Sequence, residues 1–269
     1  MHFTVGVITK SGTLEEVEEL LAPYDENMEV ETYVCKSKES IIEETKDDAE
    51  SLRLAIKKYS EGDEKISPYW IENEHVNPPK MRDFHLNLLL CKTDDDYYNY
   101  YRGDDDDNYD EEGNEITTYN PDSKWDWYSI GGRWDGSFDK ENGKNTLLIK
   151  DIKWDNSTEE EKEHYKRFWE INVEEQPLKE GEDKMEFFNI YKKEYYIDFY
   201  HTKEEYVERA SKNHTYAVLT SEGEWVAPGE VGWFSTSEDS DQQREYENWF
   251  YKYMEEHPDY YFTLVDCHI

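Results

Sequence analysis

Tyr260-Tyr-Phe-Thr-Leu-Val-Asp-Cys-His-Ile269 is the stretch on which the fold turns. Its aromatic and β-branched residues predict a strand, and apolar character maintained as far as Ile269 predicts that this strand is paired inside a sheet. Near the other end, Phe3-Thr-Val-Gly-Val-Ile-Thr9 is a second β-branched run fit for a buried strand. If the two adjoin, His2, Asp266 and His268 form a cluster. Asp266 and His268 are two residues apart and so project from the same strand face. Imidazoles beside a carboxylate are candidates for acid–base work or for metal ligation.

Between these strands the chain alternates short elements. Ser11-Gly12 predicts a turn, and Thr13 with Glu16 a capping box, after which Leu14, Val17, Leu20 and Leu21 recur at helical spacing until Pro23. Glu29 to Cys35 reads as an edge-like strand, Ser37 to Ser60 as a longer helix closed by Gly62, and the segment with Pro68, Pro78 and Pro79 as irregular. His85 to Cys91 is a short buried run in which helix and strand are not separable. Thr146 to Lys150 reads as a strand pairing back on Trp134 to Phe138. Ser157 with Glu160, and Thr202 with Glu205, open further helices, while Thr215 to Ala227 predicts a hairpin around Gly223. A last helix carries Tyr246, Trp249, Phe250 and Tyr253 on one side. The expectation is an α+β fold in one domain, residues 1–269, with a mixed or mostly antiparallel sheet that includes both terminal strands, flanked by short helices.

Composition sets further bounds. Over 269 residues the formal charge is -36, so the surface is acidic and direct tracking of nucleic-acid phosphates is disfavoured. Eleven Asp or Glu between Lys92 and Glu115 predict a solvated, mobile acidic insert at 92–115. With 23 Tyr and 16 % aromatic residues the chain nevertheless has the material of a folded core. Three cysteines without metal spacing fit a reduced, cytoplasmic protein, and no run is apolar and long enough for a membrane span. No cofactor or metal is assigned, since the common nucleotide, hydrolase and zinc motifs are absent.

The densest chemistry lies in Lys124-Trp-Asp-Trp-Tyr-Ser-Ile-Gly-Gly-Arg-Trp-Asp-Gly136. Gly131 and Gly132 can turn successive N–H groups into one concavity, a nest for an anion, and Arg133 offers a planar fork for carboxylate or phosphate. Trp125, Trp127, Tyr128 and Trp134 offer faces for stacking, with Trp233 in Gly232-Trp233-Phe234 as a second aromatic site. The plainer alternative is a tight turn whose tryptophans belong to the core.

This motif, together with Met1 to Val5, Leu21-Ala-Pro-Tyr-Asp-Glu-Asn27, Tyr119 to Trp134 and Val265-Asp-Cys-His-Ile269, resembles a family of uncharacterised proteins of bacteriophages and prophages. The resemblance implies an accessory protein in the bacterial host cytoplasm and brings no catalytic residues. Three functions follow as expectations: a counter-defence protein that captures a small anionic nucleotide-like molecule or blocks a host defence protein; a nucleotide or phosphodiester-processing enzyme using His2, Asp266 and His268; and an acidic mimic of DNA.

Overall fold

The computed structural model describes residues 1–60, 83–104, 107–229 and 240–269. Trp233, Gly62 and the three prolines at 68, 78 and 79 lie outside them. In chain order the elements are β1 (His2–Thr9), α1 (Leu14–Leu21), β2 (Tyr33–Lys36), α2 (Lys38–Ser60), α3 (Asp83–Leu90), α4 (Asp94–Arg102), β3 (Glu115–Thr117) and β4 (Trp127–Ile130). There follow β5 (Thr146–Leu148), α5 (Glu159–Asn172), α6 (Lys193–Tyr200), α7 (Lys203–Ser211), β6 (Ala217–Leu219), β7 (Trp225–Val226), α8 (Ser240–Glu256) and β8 (Tyr261–His268). Two compact units result: Met1–Met28 with Asn120–Ile269, and Glu29–Tyr119. Among the described residues no helix is long and apolar enough to cross a membrane.

The first unit is built on a mixed sheet in the order β4-β8-β1-β6-β7, with β5 also paired to β8. Both terminal strands are in it, side by side. β1 and β8 run antiparallel in register from His2↔His268 to Thr9↔Tyr261, and β6 lies parallel to β1 with Val5 opposite Ala217. Val5, Val7, Ile8, Phe262, Leu264, Val265 and Cys267 are all shut off from solvent. Such a run, apolar without alternation, is what a strand covered on both faces requires. On one face Phe3, Val5, Val7, Val265 and Cys267 pack with Val17 and Leu21 of α1 and with Trp125. On the other, Ile8, Val218, Phe262 and Leu264 meet Tyr246, Phe250 and Met254, one helical stripe of α8.

The edge next to β8 departs from expectation. Thr146–Leu148 pairs with β8, Thr146 opposite Thr263, and not with residues 134–138, which form turns. β4 and β5 therefore lie end to end on the same side of β8, separated by an excursion over residues 131–145. Leu264 holds both ends of it: its carbonyl accepts from Gly131 N–H at 2.9 Å and its N–H donates to the Asn145 carbonyl at 2.8 Å. Helix starts follow their caps. Thr13 and Thr202 accept from Glu16 and Glu205 N–H, whereas α5 starts one residue later than expected because Thr158 with Glu161, not Ser157 with Glu160, makes the capping box. The β6–β7 hairpin forms as read, with Val218 opposite Val226.

In the second unit, Ala49 and Leu52 of α2 pack with Leu88, Cys91 and Tyr97. The run at 85–91 falls mostly in helix α3. β2 pairs with β3 in a two-stranded sheet separate from the main one. The acidic stretch includes helix α4, which buries Tyr97 and Tyr98 beneath a complete capping box of Thr93 and Asp96. Three aspartates in its first turn sit where the helix dipole favours negative charge, so a run that repels itself in isolation is accommodated as a helix N-terminus.

Candidate functional site

On the α8 side, the sheet face changes character along its strands. Beyond Leu264 the register sets two polar cross-strand rows: Ser129, Asp266 and Thr4, then Trp127, His268 and His2. Period-two alternation places all six on one face. Cys267, Tyr128 and Phe3 alternate with them and turn to the opposite, apolar side. The His/Asp cluster expected from the two terminal strands is thus assembled by the β1–β8 pairing.

Its centre is Asp266, whose side chain is 2 % exposed. One carboxylate oxygen accepts from His2 Nδ1 at 2.8 Å and the other from the backbone N–H of Arg133 at 2.9 Å. A buried carboxylate is costly unless its lone pairs are used. Here both oxygens are engaged. His268 makes a parallel pair, its Nδ1 2.8 Å from Asp126 Oδ1, and its Nε2 lies 3.4 Å from the Met1 nitrogen. The two imidazoles meet edge to face with centroids 4.9 Å apart, and Trp127 stacks on His268 at 5.4 Å while its edge meets His2.

Gly131 and Gly132 explain how Asp266 is reached. Both have positive φ, 71° and 51°, which starts the excursion from the edge strand. A β-carbon on Gly132 would fall 2.6 Å from Ser129 Oγ and closer still to the Asp266 carboxylate. One on Gly131 would collide with the Asn145 amide, which receives Gly136 N–H and donates to Asp135. The turn that the glycine pair starts does bring a backbone N–H to an anion, but the donor is Arg133, the anion is the protein's own Asp266, and the Gly131 N–H goes to the Leu264 carbonyl.

The other sequence candidates divide by burial. Trp125 is 6 % exposed in the core, with no acceptor for its Nε1–H among the described residues, and Tyr128 packs edge to face on it at 5.0 Å. Burial raises the Tyr128 hydroxyl pKa and drives the Cys267 thiol far up, which removes that thiol as a nucleophile. Trp134 packs against the α8-side core. Three groups remain unspent at the rim. Trp127 is 45 % exposed. The Arg133 guanidinium is exposed and makes no hydrogen bond or ion pair with the described residues, and neither does His2 Nε2. Asp126 and Ser129, both within the aromatic motif, carry no signal of this in the sequence; the strand register brings Ser129 to the cluster and the contact with His268 brings Asp126. Among the described residues no three His, Cys, Asp or Glu side chains converge as a metal-binding set.

No family model, no curated protein and no solved structure matches this chain.

Proposed function

We propose that this chain binds a small anionic, nucleotide-like molecule at the rim formed by β1, β4 and β8. The observation that carries this reading is the contrast among the residues of this cluster and its adjoining turn. Asp266, Asp126 and His268 are engaged by protein partners, while the Trp127 ring, the Arg133 fork and the His2 Nε2 edge are left open. An exposed indole takes a base by stacking, and a guanidinium takes phosphate through two parallel hydrogen bonds. Charges elsewhere on the surface, in a total of -36, oppose an approaching anion over long range. At about 0.1 M salt that repulsion is screened beyond about 10 Å, so the contacts at the rim decide affinity. In the phage setting that the sequence resemblance implies, capture of a nucleotide made by the host would be a counter-defence activity.

The test is a thermal-shift panel of mononucleotides, cyclic and linear dinucleotides and ADP-ribose with wild type, Arg133→Ala and Trp127→Ala. A ligand at 100 times its Kd stabilises by about 2.7 kcal/mol, well within detection. The reading expects a shift in wild type that both variants lose. A shift kept in full by Arg133→Ala, or none from any compound, would overturn it.

A further inference from the structure

We infer that the same rim is a hydrolytic centre for phosphodiesters, with His2 as general base and Asp266 as its positioning residue. This rests on the binding reading above and adds chemistry to it. The supporting geometry is specific to His2. Its Nδ1 is tied to a carboxylate that is itself fixed on the other side by Arg133 N–H, both at ordinary hydrogen-bond length. Ionised Asp266 only accepts, so His2 Nδ1 carries the hydrogen, and neutral His2 presents an unprotonated Nε2. That nitrogen has no partner among the described residues, and the His2 side chain is 13 % exposed. The carboxylate–imidazole arrangement is the one that orients a base for proton abstraction.

The step balances without a co-reactant other than water. His2 Nε2 takes a proton from water as its oxygen forms a bond to phosphorus. The P–O bond to the leaving group breaks, and its electron pair leaves with that oxygen, which takes a proton from solvent. The imidazolium returns its proton to solvent, giving a phosphomonoester and an alcohol. Arg133 pairs with the non-bridging oxygens, where charge gathers as the bond forms. His268, whose two nitrogens face Asp126 and Met1, has the remaining part of supporting Trp127 from beneath.

The experiment measures binding and turnover separately. Bis(4-nitrophenyl) phosphate is the turnover probe, because its leaving phenolate needs no proton and the rate therefore reports the base step. A linear dinucleotide is followed in parallel by chromatography. Binding is read by thermal shift with both probes. The expected result is release of 4-nitrophenolate by wild type, a ligand-induced shift in wild type, and a fall in kcat of about a hundredfold or more in a folded His2→Gln. Asp266→Asn lowers kcat with KM little changed, since an amide whose oxygen accepts from Arg133 N–H donates to His2 Nδ1 and so favours the tautomer with the hydrogen on Nε2. Should His2→Gln prove unfolded by circular dichroism, His2→Asn takes its place. Binding by wild type without turnover of either probe overturns this inference and leaves the binding reading standing; absence of both binding and turnover overturns the two together; and turnover undiminished in a folded His2→Gln overturns the role of His2.

Discussion

Substituting Gly132 by Ala separates two costs that the structure assigns to it. The first is conformational: φ is 51°, and an L residue held in the left-handed region is disfavoured by about 1–2 kcal/mol, offset by about 0.4–1 kcal/mol from the stiffer unfolded chain. The second is contact. The new methyl would lie 2.6 Å from Ser129 Oγ and closer to the Asp266 carboxylate, so that carboxylate must withdraw from the Arg133 N–H. A hydrogen bond to a charged group contributes about 1.5–3 kcal/mol. Together the loss is about 2–4 kcal/mol. Gly143 supplies the control: its φ is 69° and nothing lies within 4 Å of an added β-carbon. Gly143→Ala then carries only the first cost, about 1 kcal/mol after the offset. Urea unfolding followed by tryptophan fluorescence compares the two variants at equal slope. If Gly132→Ala proves no more destabilising than Gly143→Ala, the close approach of this turn to Asp266 is wrong, and with it the argument for a fixed Asp266.

Other perturbations test the surrounding account. Phe250 is fully buried against Trp154 and Phe262, so Phe250→Ala should cost about 3–5 kcal/mol, whereas Leu14→Ala, at a side chain 56 % exposed, should stay within about 0.5 kcal/mol, both read from urea midpoints. Arg167 clasps Glu182 through Nε at 2.7 Å and Nη2 at 2.8 Å and also donates to the Pro177 carbonyl, so Arg167→Ala should open residues 174–183 to limited proteolysis. That fork, with the Lys179 N–H, holds the Glu182 carboxyl down at about 2. A depressed folded-state value stabilises above the unfolded value of about 4.5 and is lost as pH falls towards 2, a dependence that Arg167→Ala should flatten in acid titrations. Burial keeps His214 below the ordinary imidazole value against the pull of nearby Glu247. The unfolded imidazole takes up a proton below about pH 6.5 and the folded one resists, so stability present above that pH declines beneath it. His214→Gln should lose less stability than wild type between pH 7 and 5, as measured by urea midpoints.

How far the sequence reaches depends on whether a feature is local. The terminal strands were legible because continuous apolar, β-branched runs have few other uses, and Thr13 and Thr202 were legible as caps because a cap depends on residues three apart. The pairing of β5 was not, since which edge a three-residue strand joins is decided by Leu264, more than a hundred residues away. The helix of the acidic stretch was hidden behind its charge; Tyr97 and Tyr98, not the aspartates, anchor it. At the site, the parity of Asp266 and His268 was readable and their proximity to His2 followed once the termini paired. The division of the tryptophans was not readable, because Trp125 and Trp127 have the same spacing as two residues on one strand face. In the fold Trp125 precedes the strand and turns into the core, leaving Trp127 exposed.

The most direct test of the central claim is a histidine-selective ¹⁵N spectrum of the protein, with indole signals recorded alongside, during titration with a nucleotide that gives a thermal shift. The account predicts a His2 ring protonated at Nδ1 in the free protein, displacement of the His2 Nε2 and Trp127 signals on binding, and no displacement in Arg133→Ala. A ligand that stabilises the protein while leaving His2 and Trp127 unmoved would contradict it and place the functional site elsewhere.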